Sequence, residues 1–159
     1  MKHRIVERQA FQVIGVNREF PYEVEDGGIT AFQNFWNTIH ENGTFNQLEQ
    51  LRSGETKGLL GIWAEVNKDE NKMDYYVAVE YSGGVPVGLK SIDFPASKWV
   101  VFEVQGPFPS ALASTWERIY SEWSPSTGYV PNEVKPFEVY IETDPKNLNA
   151  YNEIWVAIK

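Results

Sequence analysis

The chain predicts an α+β fold of two duplicated βαββ units, building an antiparallel-rich sheet with helices on one face. The first observation is that a strand, helix, strand, strand order is written twice, at approximately 1–84 and 85–159 of one domain spanning 1–159. The second is that the two helical segments align. Ala31-Phe32-Gln33-Asn34-Phe35-Trp36-Asn37-Thr38-Ile39 laid on Ala111 to Ile119 puts Phe32 on Leu112, Trp36 on Trp116 and Ile39 on Ile119. The third is that Tyr76-Val77-Ala78-Val79 falls on Trp155-Val156-Ala157-Ile158 at almost the same offset, so two separate elements agree on one duplication. Two pseudo-equivalent halves imply a seam, and seams are common places for small-molecule sites.

Each element follows from local chemistry. Phe11 to Val16 is a β-branched-rich strand ended by the polar run Asn17-Arg18-Glu19. An acidic loop from Phe20 to Gly28 carries Glu23, Glu25 and Asp26. It is a solvated connection by composition and long enough to act as a lid. Thr30 caps a helix whose apolar face is Phe32, Phe35, Trp36 and Ile39. Phe45, Leu48 and Leu51 mark a further helical turn, closed by Ser53-Gly54. Leu59 to Val66 is a strand, Asn67 to Lys72 a charged hairpin tip, and Tyr75 to Tyr81 the next strand. Ser82-Gly83-Gly84 and Pro86 connect to the second half.

There, Lys98 to Gln105 is a strand and Gly106-Pro107 a break. Pro109-Ser110 opens a helix presenting Leu112, Trp116, Ile119, Tyr120 and Trp123, which stops at Pro125. Loop signals from Ser124 to Pro136 lead to the strand Phe137 to Glu142. Asp144-Pro145 and an asparagine-rich turn lead to the last strand, Glu153 to Ile158. Trp36, Trp116 and Trp123 read as core residues.

Composition narrows the function. With 42% hydrophobic and 23% charged residues, the chain is an ordinary soluble globular sequence. A net charge of -8 argues against a free nucleic-acid-binding face and suits cationic or neutral partners. The absence of cysteine removes disulfides, thiolate nucleophiles and cysteine metal clusters. His3 and His40 are too far apart in pattern for a metal or a triad, so no metal and no cofactor are expected. Gly83-Gly84 and Gly106 lack the lysine and helix of a phosphate cradle. No long apolar stretch opens the chain, so a cytoplasmic location without membrane contact is expected.

Strand periodicity nominates the candidate site. If Phe137, Val139 and Ile141 face the helices, then Glu138, Tyr140 and Glu142 face away. By the same reasoning Ile154, Val156 and Ile158 go in, while Trp155 and Ala157 go out. Tyr76, Ala78, Glu80, Trp63 and Gly61 join the outward set from the first half. Trp63, Tyr76, Tyr140 and Trp155 are large aromatics on a face that ought to be polar, which signals binding. Aromatic walls around a carboxylate suit a flat apolar or cationic guest, each ring contributing about 0.5–2 kcal/mol. The ligand-binding candidates are therefore Glu138, Tyr140, Trp155, Tyr76 and Trp63. Alternatively these aromatics fill a second small core beneath the acidic loop, and Glu138 pairs with a lysine.

Pro95-Ala96-Ser97-Lys98-Trp99-Val100-Val101-Phe102, Gly106-Pro107, Thr115 to Trp123, Pro136-Phe137-Glu138-Val139-Tyr140 and Glu153-Ile154-Trp155-Val156, in that order, resemble the GyrI-like superfamily. This is the effector-binding domain found alone and at the end of bacterial AraC-type and MerR-type transcription activators. The resemblance spans nearly the whole chain and is strongest from Pro95 onward. It implies a ligand cleft between the halves, an acidic residue where this chain has Glu138, and aromatic walls. Several members bind lipophilic cations, and a subset of hydrolases opens cyclopropane-type toxins with that glutamate and tyrosine and tryptophan help. The regulators carry a helix-turn-helix domain first, whereas here the effector-type pattern starts within the first residues, so direct DNA binding is not expected.

Three functions follow as expectations. The first is a stand-alone small-molecule-binding protein for hydrophobic, aromatic and cationic ligands, acting in sensing or sequestration. The second is a hydrolase in which Glu138 activates or positions water while Tyr140 or Tyr76 donates a hydrogen bond. The third, by family analogy, is a protein-interaction module that contacts a regulator or an enzyme such as a topoisomerase through its acidic surface.

Overall fold

The computed structural model describes residues 1–21, 29–127 and 133–159. It is α+β, as expected, and divides into two compact units, Gln12–Asp93 and Met1–Phe11 with Phe94–Lys159. In chain order the strands and helices are β1 (His3–Arg8), β2 (Phe11–Phe20), α1 (Ile29–Glu41), α2 (Thr44–Leu51), β3 (Leu59–Asn67) and β4 (Lys72–Glu80). They continue with β5 (Lys90–Phe94), β6 (Ser97–Gln105), α3 (Ser110–Arg118), a π-helical turn (Ile119–Trp123), α4 (Ser124–Thr127), β7 (Phe137–Tyr140) and β8 (Tyr151–Ile158). No helix among the described residues is long and apolar enough to cross a membrane.

In the unit built on Gln12–Asp93 the strand order is β3-β4-β2-β5, with β2 and β3 antiparallel to β4. β2 runs four residues beyond the expected end, because Asn17, Arg18 and Glu19 pair with Tyr76, Tyr75 and Asp74 of β4. Their polar side chains are placed as well: Asn17 Nδ2 donates to Asp74 at 2.7 Å and the Arg18 guanidinium lies over the Phe35 ring, 4.8 Å from its centroid. Helix α1 lays Phe32 and Phe35 against Tyr75, with Phe20 stacked on Phe32. It begins at Ile29, so Thr30 stands inside the first turn rather than at its cap. The proposed lid lies mostly outside the described residues.

Glu80 closes this unit's long connection. Its buried carboxylate accepts from the Thr56 hydroxyl at 3.1 Å and from the Glu55 and Thr56 amides, and its carbonyl accepts from Ser53.

In the other unit the order is β1-β6-β8-β7, every pairing antiparallel. One face of β6 and β8 packs under α3 and the π-helical turn. Val100, Phe102, Val104, Ile154, Val156 and Ile158 meet Leu112, Ile119 and Trp123 there. Trp123 is a core residue, as expected. The opposite face is buried too. Trp99, Phe94, Phe137 and Trp155 pack ring against ring, with Phe11 at their margin and the Arg8 guanidinium 4.0 Å over the Phe11 ring. Strands buried on both faces carry near-continuous apolar runs and lose the alternation that marks an inward side. Helix also persists past the expected stop. Pro125 is the second residue of α4, which continues directly from the π-helical turn.

Gly15 sits opposite Ala78 where the strands approach so closely that a Cβ would overlap the Val77 carbonyl and stand 2.6 Å from the Ala78 Cα. Both neighbours are backbone and cannot swing aside. Gly15→Ala is therefore expected to destabilise the protein by about 1–3 kcal/mol, read as a lower urea midpoint at unchanged slope.

Candidate functional site

Strand β7 is short, and its register on β8 decides where its side chains go. Glu138 stands opposite Ile154, and Phe137 opposite Trp155. Residues directly opposite share a face. Ile154 belongs to the core under α3, so Glu138 points toward the helix, contrary to the expectation that it points away. Tyr140, two residues on, packs against the same core, while Phe137 stacks on Trp155 on the other face. The expected parity failed because Phe137 and Val139 do fill a core, but it is the aromatic core on the face without α3.

Under the helix, the Glu138 carboxylate is 7% exposed and held at both oxygens. The Tyr140 hydroxyl donates to Oε1 at 2.7 Å, and the Trp116 indole Nε1 donates to Oε2 at 2.9 Å. Trp116 is thus half-buried with a polar task rather than plain core. Trp36, its counterpart in the sequence alignment, is also half-buried, its ring 6.3 Å from His40. The indole N–H of Trp116 gives it this polar task, which no spacing in the sequence signals. Tyr120, expected on the apolar face, is 61% exposed and stacked on Trp116 with centroids 5.7 Å apart. Phe108 meets the Tyr140 ring edge-on at 5.8 Å. The result is a carboxylate with an aromatic surround of Trp116, Tyr120, Tyr140 and Phe108.

No cationic side chain among the described residues is paired with Glu138. Burial pushes its carboxyl above the usual carboxylate range, and the hydrogen bonds from Tyr140 and Trp116 oppose that rise without cancelling it.

The other candidates are distributed differently. Trp155 is 3% exposed, on the face opposite Glu138, and its Nε1 donates to Glu153 at 3.1 Å. In the other unit, Trp63 stands opposite Tyr75 and joins the aromatic cluster under α1, 5.0 Å from Tyr75 and 6.3 Å from Phe32. It does not face away from the helix as expected, and neither does Gly61, opposite Val77. Tyr76 does face away. Burial first, then Asp74 and Glu65, push its hydroxyl up.

Glu153, a second buried carboxylate of the unit that holds Glu138, lies on the Trp155 face. It accepts from the Tyr151 hydroxyl at 2.6 Å and the Trp155 indole at 3.1 Å, and it pairs with the Arg4 guanidinium at 3.2 Å. Glu103, its neighbour across β6 and β8, is 3.8 Å from Arg4.

A carboxylate lodged among aromatic rings on an antiparallel α+β frame is the kind of site that small-molecule-binding domains present. The family model of the GyrI-like small molecule binding domain matches residues 1–159, and the chain belongs to that family. Solved structures share its fold. SAV2435 bound to tetraphenylphosphonium is 22% identical, with a TM-score of 0.81 over 100% of this chain and 94% of that one. The EcmrR C-terminal domain is 15% identical, with a TM-score of 0.60 over 99% and 97%. A hydrolase from Listeria innocua is 12% identical, with a TM-score of 0.54 over 99% and 92%. No curated protein matches the chain.

The raised Glu138 carboxyl has a consequence for stability. The folded protein holds the Glu138 proton more tightly than the unfolded chain does. The stability this contributes is full below the unfolded carboxylate range and lost as pH rises through the folded value. Glu138 therefore contributes less to stability at neutral pH than in acid. Glu138→Gln, whose amide can accept from Trp116 and donate to the Tyr140 oxygen, is expected to be more stable than the wild type at pH 7. The advantage should vanish near pH 4, as measured by urea unfolding at both values.

Proposed function

We propose that the chain binds small hydrophobic, aromatic cations against Glu138 and acts in sensing or sequestration. The observation that carries this reading is a buried carboxylate, unpaired with any cation among the described residues, inside an aromatic surround. A buried anion is unfavourable until it gains a proton or a counter-charge, and a cationic guest supplies the second while its rings bury apolar surface on Trp116 and Tyr140. The binding of tetraphenylphosphonium by the SAV2435 structure supports the choice of ligand class.

Tetraphenylphosphonium titration followed by tryptophan fluorescence tests the reading. Glu138→Gln is expected to weaken the cation by roughly 1–3 kcal/mol and leave a neutral aromatic of similar size nearly unchanged. Affinity is also expected to fall as pH drops through the raised Glu138 value, because protonation removes the counter-charge. Equal cation affinity in both proteins at every pH would sink the reading. Loss of binding at modest salt would assign it instead to the general acidic surface.

A second reading is favoured by one feature. A carboxylate with raised proton affinity, 2.7 Å from a tyrosine hydroxyl, is suited to general-base chemistry on reactive cyclopropane-type toxins. In that case Glu138→Gln lowers turnover by about two orders of magnitude while substrate affinity survives, which product analysis distinguishes from binding alone.

A further inference from the structure

We propose that strand β1 is a dimerisation edge, pairing antiparallel with β1 of a second copy of this chain about a two-fold axis at Ile5. The strand ends its sheet, with β6 on one side and no strand among the described residues on the other. Its ladder with β6 is regular from His3 to Arg8, with neither a bulge nor a proline. Natural edges are usually blunted by shortness, proline, bulges or charges that guard the free backbone. The end strand of the other unit, β5, is shorter and stops at Pro95. β1 carries charges, yet they are drawn inward rather than left over the edge. Arg4 lies 3.2 Å from the buried Glu153 carboxylate and 3.8 Å from Glu103, and the Arg8 guanidinium sits 4.0 Å from the centre of the Phe11 ring.

The direction of the free backbone groups follows from the ladder. The Lys2 carbonyl accepts from the Glu103 amide at 2.9 Å, so Lys2, Arg4, Val6 and Arg8 turn their N–H and C=O groups toward β6. His3, Ile5 and Glu7 therefore turn theirs outward. The side chains of these three lie on the α3 side of the sheet, since His3 stands opposite Phe102 and Ile5 opposite Val100, both in the core under α3. Ile5, β-branched and apolar, is 37% exposed at this margin. The His3 ring rests against Phe102 and Trp123, at 5.8 and 6.0 Å, and its Nδ1 donates to the Met1 carbonyl at 2.9 Å, which leaves Nε2 to meet a carboxylate.

Symmetry then selects the register. Two strands that continue one sheet through a two-fold axis perpendicular to it keep like faces together, so only residues of the same face stand opposite one another. With Ile5 opposite Ile5, His3 of each copy meets Glu7 of the other, an imidazole beside a carboxylate on either side of an apolar centre. The outward residues supply about six backbone hydrogen bonds, and the closely spaced pairs between them set Arg4 against Val6. Lys2, which falls opposite Arg8 outside the strand proper, is paired with Glu103 at 4.0 Å. Sliding the strands by two residues either way instead sets Arg4 against Arg4 or against Arg8, like charges in the pairs whose side chains approach most closely. Charge thus favours one register over its neighbours. The contact is small beside the roughly 800 Å² per partner of a stable interface, so the dimer is concentration-dependent. The same axis places both α3 helices, and both Glu138 carboxylates beneath them, on one side of the joined sheet.

Sedimentation velocity on the wild type is expected to show a monomer passing to a dimer as concentration rises from about 10 μM to 1 mM, the span of affinities that so small a contact supports. Ile5→Lys and Ile5→Glu each place like charges on the two-fold axis, and each is expected to stay monomeric over that range, with circular dichroism confirming the fold. An equal mixture of the two variants should recover a dimer, because the mixed pair sets opposite charges at the axis. Hydrogen exchange on the wild type reads the same contact without a substitution. The amides of His3, Ile5 and Glu7 should exchange several-fold more slowly at the high concentration than at the low one, while those of β3 in the other unit do not change. A monomer at every concentration, a dimer that survives Ile5→Lys, or a mixture that stays monomeric overturns the proposal. If either variant loses its fold, the exchange result decides, and unchanged rates at His3, Ile5 and Glu7 overturn it.

Discussion

The hydrogen bond from the Trp116 indole to the Glu138 carboxylate joins helix α3 to strand β7, and the character of the site depends on it. Without that donor the carboxylate would keep the Tyr140 hydroxyl as its one neutral donor among the described residues. With it, both oxygens are engaged and the group is oriented, yet no cationic side chain among the described residues is paired with it. A pair of neutral donors lowers the penalty of burial without abolishing it. What remains is a raised affinity for a proton.

Comparison within the chain sharpens this. In the unit built on Gln12–Asp93, Trp63 stands opposite Tyr75, as Glu138 stands opposite Ile154. The sequence alignment that places Tyr76 on Trp155 places Tyr75 on Ile154, so Trp63 occupies the position of Glu138. One copy thus puts an aromatic ring beneath its helix where the other puts an acid. Trp63 closes a cluster of rings with Phe32 and Tyr75. Glu138 instead exchanges packing for charge. At Glu153, on the other face of the same unit as Glu138, Arg4 neutralises the buried acid, and the terminal strand β1 gains a polar tie to β8. Two buried acids with like neutral donors therefore differ in whether the chain itself provides the counter-charge.

Much was legible from residue order. The helix over Ala31 to Ile39, the helix over Leu112 to Ile119, and the strands around Leu59, Tyr75, Lys98, Phe137 and Glu153 are all present. Their signals are local: apolar residues at helical spacing, β-branched runs, and glycine or proline at the breaks. β5 was not legible, because Lys90–Phe94 has little apolar alternation and gains its strand character from lying beside β2. The end of β2 was misread because Asn17, Arg18 and Glu19 are polar, and pairing with β4 keeps them extended.

By itself the sequence determined the α+β class, the order of strand and helix, and that Glu138 and Tyr140, two residues apart on one strand, share a face. Tertiary structure decided which face. Parity assigns an inward side where one side of a sheet is wet, but β6, β7 and β8 are buried on both, and Phe137 and Glu138 each face a filled interior. Tertiary structure also decided the partners. Nothing in the spacing of Trp116 and Glu138, or of Arg4 and Glu153, relates them, because hydrogen bonds between residues distant in the chain are set by register and packing.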